Sequence, residues 1–135
     1  MSIDISWMVG LRCRTVRRDP HTWYFSLGAD AGLVAECPWR IVAGARIVLG
    51  SVDDGQQFGL PAPVDAEAVA GELLGGREVT AAEVRPESAD LVLTFGDERL
   101  ELFNNSSGYE GWTLKGPDGR QVIAQGGGTL VTLGG

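Results

Sequence analysis

Arg12-Cys-Arg-Thr-Val-Arg-Arg-Asp-Pro-His-Thr-Trp-Tyr-Phe-Ser-Leu-Gly28 and Glu78-Val-Thr-Ala-Ala-Glu-Val-Arg-Pro-Glu-Ser-Ala-Asp-Leu-Val-Leu-Thr-Phe-Gly96 follow one pattern. Each runs from a strand-like stretch through an X-Pro turn into a second strand-like stretch that ends on glycine. Cys13 then matches Val79, Asp19-Pro20 matches Arg85-Pro86, and Phe25-Ser26-Leu27-Gly28 matches Leu93-Thr94-Phe95-Gly96. Farther on, Trp39-Arg40-Ile41 matches Trp112-Thr113-Leu114. Repetition of this kind predicts two copies of one supersecondary unit.

Short runs rich in Val, Leu, Ile and aromatic residues, bounded by Gly, Pro, Asp or Asn, predict strands. They fall at 11–17, 22–27, 33–37 and 46–49, and again at 78–84, 90–95, 99–103, 111–115 and 121–124, with 129–133 after them. One helix is expected at 65–74. Asp65 is its N-cap, Val64 and Val69 can staple its first turn, and Glu67 suits the dipole. Ala66, Val69, Ala70 and Leu73 form its apolar stripe, and Gly75-Gly76 end it. The expected fold is mainly β, on the border of α+β. It has two pseudo-symmetric antiparallel meanders, in a barrel or a sandwich, joined by one short helix. Residues 1–135 form one domain, with copies at about 10–50 and 76–126. Arg12 and Arg17 would then face Glu78 and Glu83 across the pseudo-twofold axis.

With 135 residues, 44% apolar and 21% charged, the chain has the composition of a globular domain. No apolar run reaches the ~20 residues that a membrane helix needs. The first ten residues lack the basic and apolar regions of a secretory signal, so a cytoplasmic location is expected. Two cysteines, Cys13 and Cys37, make no disulfide framework and read as reduced core thiols. Ten arginines against the single Lys115 suggest the coding bias of a GC-rich bacterium.

The net charge of −7 arises wholly in residues 61–135, since residues 1–60 balance six arginines against six acids. Such a surface repels nucleic acid and anionic membranes and favours a basic partner. The arginines of 12–18 lack the interleaved aromatics of a nucleic-acid groove. His21 is the only histidine, which excludes a multi-histidine metal site within one chain. No nucleophile elbow or phosphate loop is present; Gly126-Gly-Gly128 has no Lys-Ser/Thr after it. No catalytic residue, metal or cofactor is therefore expected, and the chain reads as a non-enzyme.

Binding residues are expected where the copies differ. Between the third strand and the matched tryptophan, the first copy has only Pro38, whereas the second has Asn104-Asn-Ser-Ser-Gly-Tyr-Glu-Gly111. An inserted polar loop on a rigid scaffold is a natural place for contact groups. Asn104, Asn105, Ser106, Tyr109 and Glu110 are the candidates there, with Trp39, Arg40 and Trp112 beside them. Arg40 is expected to pair with Glu110 or Glu36, or to stack on Trp112.

The run Leu91-Val-Leu-Thr-Phe-Gly-Asp-Glu-Arg-Leu-Glu-Leu-Phe-Asn104, the following Ser-Gly-Tyr-Glu-Gly-Trp112, and Gly126-Gly-Gly128 carry a resemblance. With Trp39-Arg40, they resemble a family of small bacterial proteins with an F-x-x-S-x-x-Y-E-x-W-like motif and a Gly-rich end. Those proteins are similar to the immunity proteins encoded beside bacterial toxins. The resemblance covers most of the chain and implies no catalytic residues. What it implies is an acidic inhibitor of a basic toxin, with Tyr109 and Glu110 as anchors. Two other classes stand beside it: a small-molecule binder with its ligand near Trp39, Tyr109 and Trp112, and a homodimeric structural protein pairing sheet edges.

Overall fold

Alternation decides the faces of the strands. In β2 (Thr22–Leu27), Trp23, Phe25 and Leu27 point inward and Thr22, Tyr24 and Ser26 outward. The computed structural model describes residues 3–134 and assigns eleven strands among them. The others are β1 (Cys13–Asp19), β3 (Ala31–Ala35), β4 (Trp39–Ala43), β5 (Arg46–Gly50), β6 (Ala81–Val84), β7 (Leu91–Phe95), β8 (Glu98–Leu102), β9 (Trp112–Lys115), β10 (Gln121–Ala124) and β11 (Leu130–Leu133). A single α-helix, α1 (Ala66–Leu74), separates β5 from β6.

All pairings are antiparallel, in two sheets that stack as a sandwich and do not close into a barrel. The six-stranded sheet has the order β1-β2-β3-β9-β10-β11, and the five-stranded sheet β5-β4-β8-β7-β6. Read from β6, the second order becomes β6-β7-β8-β4-β5, which mirrors β1-β2-β3-β9-β10 strand for strand. Each half therefore builds three strands of one sheet and sends its last hairpin to the other.

The registers agree with this exchange. Ala35 faces Trp112 across β3 and β9, and Leu102 faces Trp39 across β8 and β4. Val16 faces Phe25 in one outer hairpin, and Ala82 faces Leu93 in the other. Backbone bonds at the crossovers also come in matched pairs: Glu36 N–H donates to Gly111 O at 2.8 Å, and Phe103 N–H to Pro38 O at 2.9 Å.

At the other end of the strands the halves meet directly. Arg12 and Glu78 form an antiparallel bridge, flanked by Cys13 N–H to Arg77 O (2.9 Å) and Val79 N–H to Leu11 O (2.8 Å). Their side chains pair at 2.6 Å, as the matched positions predict. Arg17 does not meet Glu83; it lies over the Tyr24 ring at 5.0 Å and makes no ion pair among the described residues.

The matching extends into the helix. Gly10 N–H donates to Val79 O and Gly76 N–H to Cys13 O, both at 2.8 Å, and Met8 and Leu74 accept from Leu11 and Arg77. The short 3-10 turn at Ser6–Met8 thus stands to the first half as the end of α1 stands to the second. Asp65 caps α1 by accepting from Ala68 N–H at 3.2 Å, as the sequence predicts. Its buried stripe is Ala66, Ala70 and Leu74, with Val69 and Leu73 half-buried, so the face is turned slightly from the expected one.

One core takes side chains from both halves, Phe25, Leu27, Trp39 and Ile41 from the first and Leu93, Phe95, Leu100 and Trp112 from the second. Truncating a buried tryptophan of this kind to alanine costs about 3–5 kcal/mol.

Candidate functional site

The topology fixes which loops share an end. The β1–β2 and β6–β7 turns, both crossovers, and the segments after β5 and β10 all lie at one end of the sandwich. The loop at 104–111 lies there, and two of its residues serve its own geometry. Ser106 Oγ accepts from Gly108 N–H at 3.1 Å and from Tyr109 N–H at 2.9 Å, an ordinary hydroxyl-closed turn. Ser106 O accepts from Gly127 N–H at 2.8 Å. A Cβ on Gly126 would strike the backbone of Gly108, so the glycine run provides the close approach that holds this loop down.

Asn104 is only 7% exposed. Its Nδ2 donates to Ser88 O and Gln125 O, each at 3.0 Å, and its N–H donates to Asp90 Oδ1 at 2.8 Å. It ties the β6–β7 turn to the segment after β10 and is not available as a surface contact. By register Asn104 matches Cys37, so the residues without a counterpart are 105–110.

Trp39 and Trp112 are 2% and 1% exposed, and neither lines the clefts at this end of the sandwich. Trp112 Nε1 donates to Ala89 O at 2.8 Å. The Trp39 ring meets Trp23 and Phe25 edge-on at centroid distances of 4.8 and 5.5 Å. Both were candidates for ligand contact; they are core residues because their strands alternate them inward. Arg40 also differs from expectation. Its Nε donates to Glu101 Oε1 at 2.7 Å and its guanidinium stacks on Phe103 at 4.9 Å, not on Trp112, Glu110 or Glu36. The cause is the β4–β8 pairing, which sets Arg40 opposite Glu101 on the outer face of the five-stranded sheet.

The remaining candidates do come together. Asn105, Ser106, Tyr109 and Glu110 line one wall of an open cleft of about 590 Å3, and His21, Glu36 and Cys37 line the other. A second cleft, of about 520 Å3, continues from the same His21, Glu36 and Cys37 towards Pro20, Trp23, Pro38, Ser51 and Val52. Tyr109 is 83% exposed and Val52 76%, so two apolar groups flank the pair of clefts. Glu36 and Glu110 are exposed along it, and Glu87 is exposed in the neighbouring turn.

Burial pushes the Cys37 thiol up to about 12, so it stays protonated at neutral pH and is a poor nucleophile. Among the described residues no group of three or more His, Cys, Asp or Glu is placed to hold a metal ion, and no helix is long and apolar enough to cross a membrane. The sequence reading missed His21, Glu36 and Cys37 as cleft residues. The matched-copy pattern held the signal, because the crossover at 36–38 had to lie beside its longer partner. Comparison with family models, curated proteins and solved structures gives no match to this chain.

Proposed function

We propose that the chain is an acidic protein-binding module of the immunity type, which inhibits a basic partner through the loop end of its sandwich. The observation that carries this reading is Tyr109. Its ring is 83% exposed, yet its backbone is fixed by Ser106 Oγ, and its loop is packed on Gly126. An aromatic group held out on a preorganised loop loses little freedom on binding, which is how interface anchors gain their affinity. Glu36 and Glu110 line the same cleft, with Glu87 exposed in the β6–β7 turn at the same end, and this negative charge speeds capture of a positively charged protein. A bacterial, cytoplasmic setting and an origin by internal duplication belong to the same proposal, the duplication supported by the paired backbone bonds of the two halves.

The test is capture of basic proteins from a bacterial lysate on the immobilised chain, compared with Tyr109→Ala and with Glu36→Gln/Glu110→Gln. A specific partner should be retained by the native chain and lost, at least tenfold, with Tyr109→Ala. The double glutamine variant should keep binding at high salt no better than the native chain and lose its low-salt advantage. Retention of the same proteins by all three forms would overturn the proposal.

A further inference from the structure

The strand registers line up two rows of side chains on the outer face of the six-stranded sheet. Arg17, Tyr24, Val34 and Thr113 form one row across β1, β2, β3 and β9, and Thr15, Ser26, Gly32 and Lys115 form the next. Neither row holds an acid, in a chain whose net charge is −7. The matching rows of the five-stranded sheet are filled. There Arg99 stands where Gly32 does and Glu101 where Val34 does. Glu101 pairs with Arg40 at 2.7 Å and with Arg99 at 3.6 Å, so that face satisfies its own charges.

The face of the six-stranded sheet does not. Over Gly32 it opens into a notch of about 300 Å3, bordered by Thr15, Arg17, Tyr24, Ser26, Asp30 and Lys115. A Cβ on Gly32 would crowd Phe25 O at 3.3 Å, so the floor of the notch is bare backbone. Arg17 lies over the Tyr24 ring at 5.0 Å. Neither Arg17 nor Lys115 makes an ion pair among the described residues. Thr15 Oγ1 donates to Ser26 Oγ at 3.0 Å, which leaves the Ser26 hydroxyl proton free for another acceptor. Asp30, in the β2–β3 turn, supplies the one carboxylate at the rim.

We infer that this notch binds a small hydroxylated carboxylate the size of one sugar ring, a sugar acid. Charge sets the first requirement. Arg17 and Lys115 against Asp30 leave one positive charge to be matched, so the ligand carries one carboxylate. Arg17 receives that carboxylate, because its planar fork suits the group and the Tyr24 ring holds the guanidinium in place. Lys115 stands across the notch, its Cα about 16 Å from that of Arg17 by three strand spacings and a two-residue offset. Two long side chains reaching inward over that span close on a body one ring wide. Asp30 and Ser26 set the second requirement, since Asp30 can only accept and Ser26 has a proton to donate. Ligand hydroxyls answer both, whereas a bare carboxylate would leave Asp30 facing a like charge. The volume lies at the lower limit of small-molecule sites, which suits a single ring. The notch shares no lining residue with the clefts at the loop end, so the inference is independent of the protein-binding reading.

The inference is tested with the whole chain, 15N-labelled, titrated with sodium glucuronate at fixed pH and ionic strength. Glucose and sodium acetate serve as controls. Glucuronate should shift the backbone signals of Ser26, Gly32 and Lys115 saturably, with the low-millimolar Kd suited to a small ligand in an open site. Signals of the loop from Asn105 to Glu110 should stay in place. Glucose lacks the charge and acetate lacks the hydroxyls, so each should bind at least about tenfold more weakly. Arg17→Gln should weaken glucuronate about tenfold and Lys115→Gln about threefold. Both residues are exposed, so neither change threatens the fold. No shift at Gly32 up to about 50 mM glucuronate would overturn the inference. Equal binding of acetate or of glucose would overturn it as well, and so would native affinity in both variants.

Discussion

The crossover from β3 to β4 takes three residues and that from β8 to β9 takes nine, yet both make the same backbone bond to the other half. The shared bond shows what the fold requires, a strand leaving one sheet beside a strand leaving the other. The surplus in the second crossover shows what it does not require. There the extra residues fold back over the glycine run at 126–128, and Asn104 fills the space beneath them. The shorter crossover leaves a cleft in the matching place, with Tyr109 from the longer loop standing at its rim. One half thus closes its own end and lends a side chain to the open end of the other.

That contrast can be broken most severely at Asn104. Asn104→Ala leaves Ser88 O and Gln125 O without their shared donor and should cost about 3 kcal/mol, read from the denaturation midpoint. Cys37→Ala at the matching position should cost no more than about 1 kcal/mol, since it removes one small group beside an open cleft. Equal losses at the two positions would erase the distinction between a filled and an open end.

The matched tryptophans sharpen the comparison with a smaller effect. Trp112→Phe loses an indole bond to Ala89 O, whereas Trp39→Phe loses none, so the first should be less stable by about 1 kcal/mol. A larger loss for Trp39→Phe would show that its indole is bonded in the native state.

Acid should act at the Arg40–Glu101 pair of the five-stranded sheet, which the matching place in the other sheet lacks. Glu101 in β8 faces Arg40, while Val34 at the matching place in β3 faces Thr113. Burial acts to raise the Glu101 carboxyl, but the hydrogen bond and charge of Arg40, with Arg99 beside it, outweigh burial and hold it below the ordinary 4.5. A carboxyl depressed in the folded state stabilises the fold above its unfolded value. That contribution disappears as pH falls through the folded value. The native chain should therefore lose more stability than Glu101→Gln between about pH 5 and pH 3, with equal melting-temperature changes contradicting the pairing. At pH 7 the variant should be less stable by about 1–2 kcal/mol.

The smallest effect on stability is expected at Tyr109. Tyr109→Ala should change the unfolding free energy by no more than about 0.5 kcal/mol, because the ring packs on almost nothing. A loss beyond about 1.5 kcal/mol would make the residue a structural one.

Much of this architecture was legible in the chain. The repeated X-Pro and glycine positions mark the outer hairpins, the Asp65 cap marks the helix, and the Arg12–Glu78 pairing follows from matched positions. The exchange of hairpins between sheets was not legible, because turn chemistry tells which strands adjoin in sequence and not which sheet receives them. That exchange decides the partner of Arg40, which lies sixty-one residues away at Glu101. It also decides that Trp39 and Trp112 face the core, since a tryptophan beside polar residues reads equally well as core or as contact group. Within the candidate site, the loop from Asn105 to Glu110 was visible as a surplus, whereas the wall opposite it, His21, Glu36 and Cys37, became visible only with the twofold in hand.

The equivalence of the two ends is tested most directly by placing an asparagine in the open one. If Cys37 occupies the place of Asn104 and Pro38 that of Gly111, the amide of Cys37→Asn is accommodated once Pro38→Gly removes the Cβ that at position 111 would strike Asn104 Oδ1. The double variant should then melt higher than Pro38→Gly alone, by a gain of about 0.5–1.5 kcal/mol. If the ends are not equivalent, the same amide enters an apolar neighbourhood without partners, and the variant should be destabilised by about 1–3 kcal/mol.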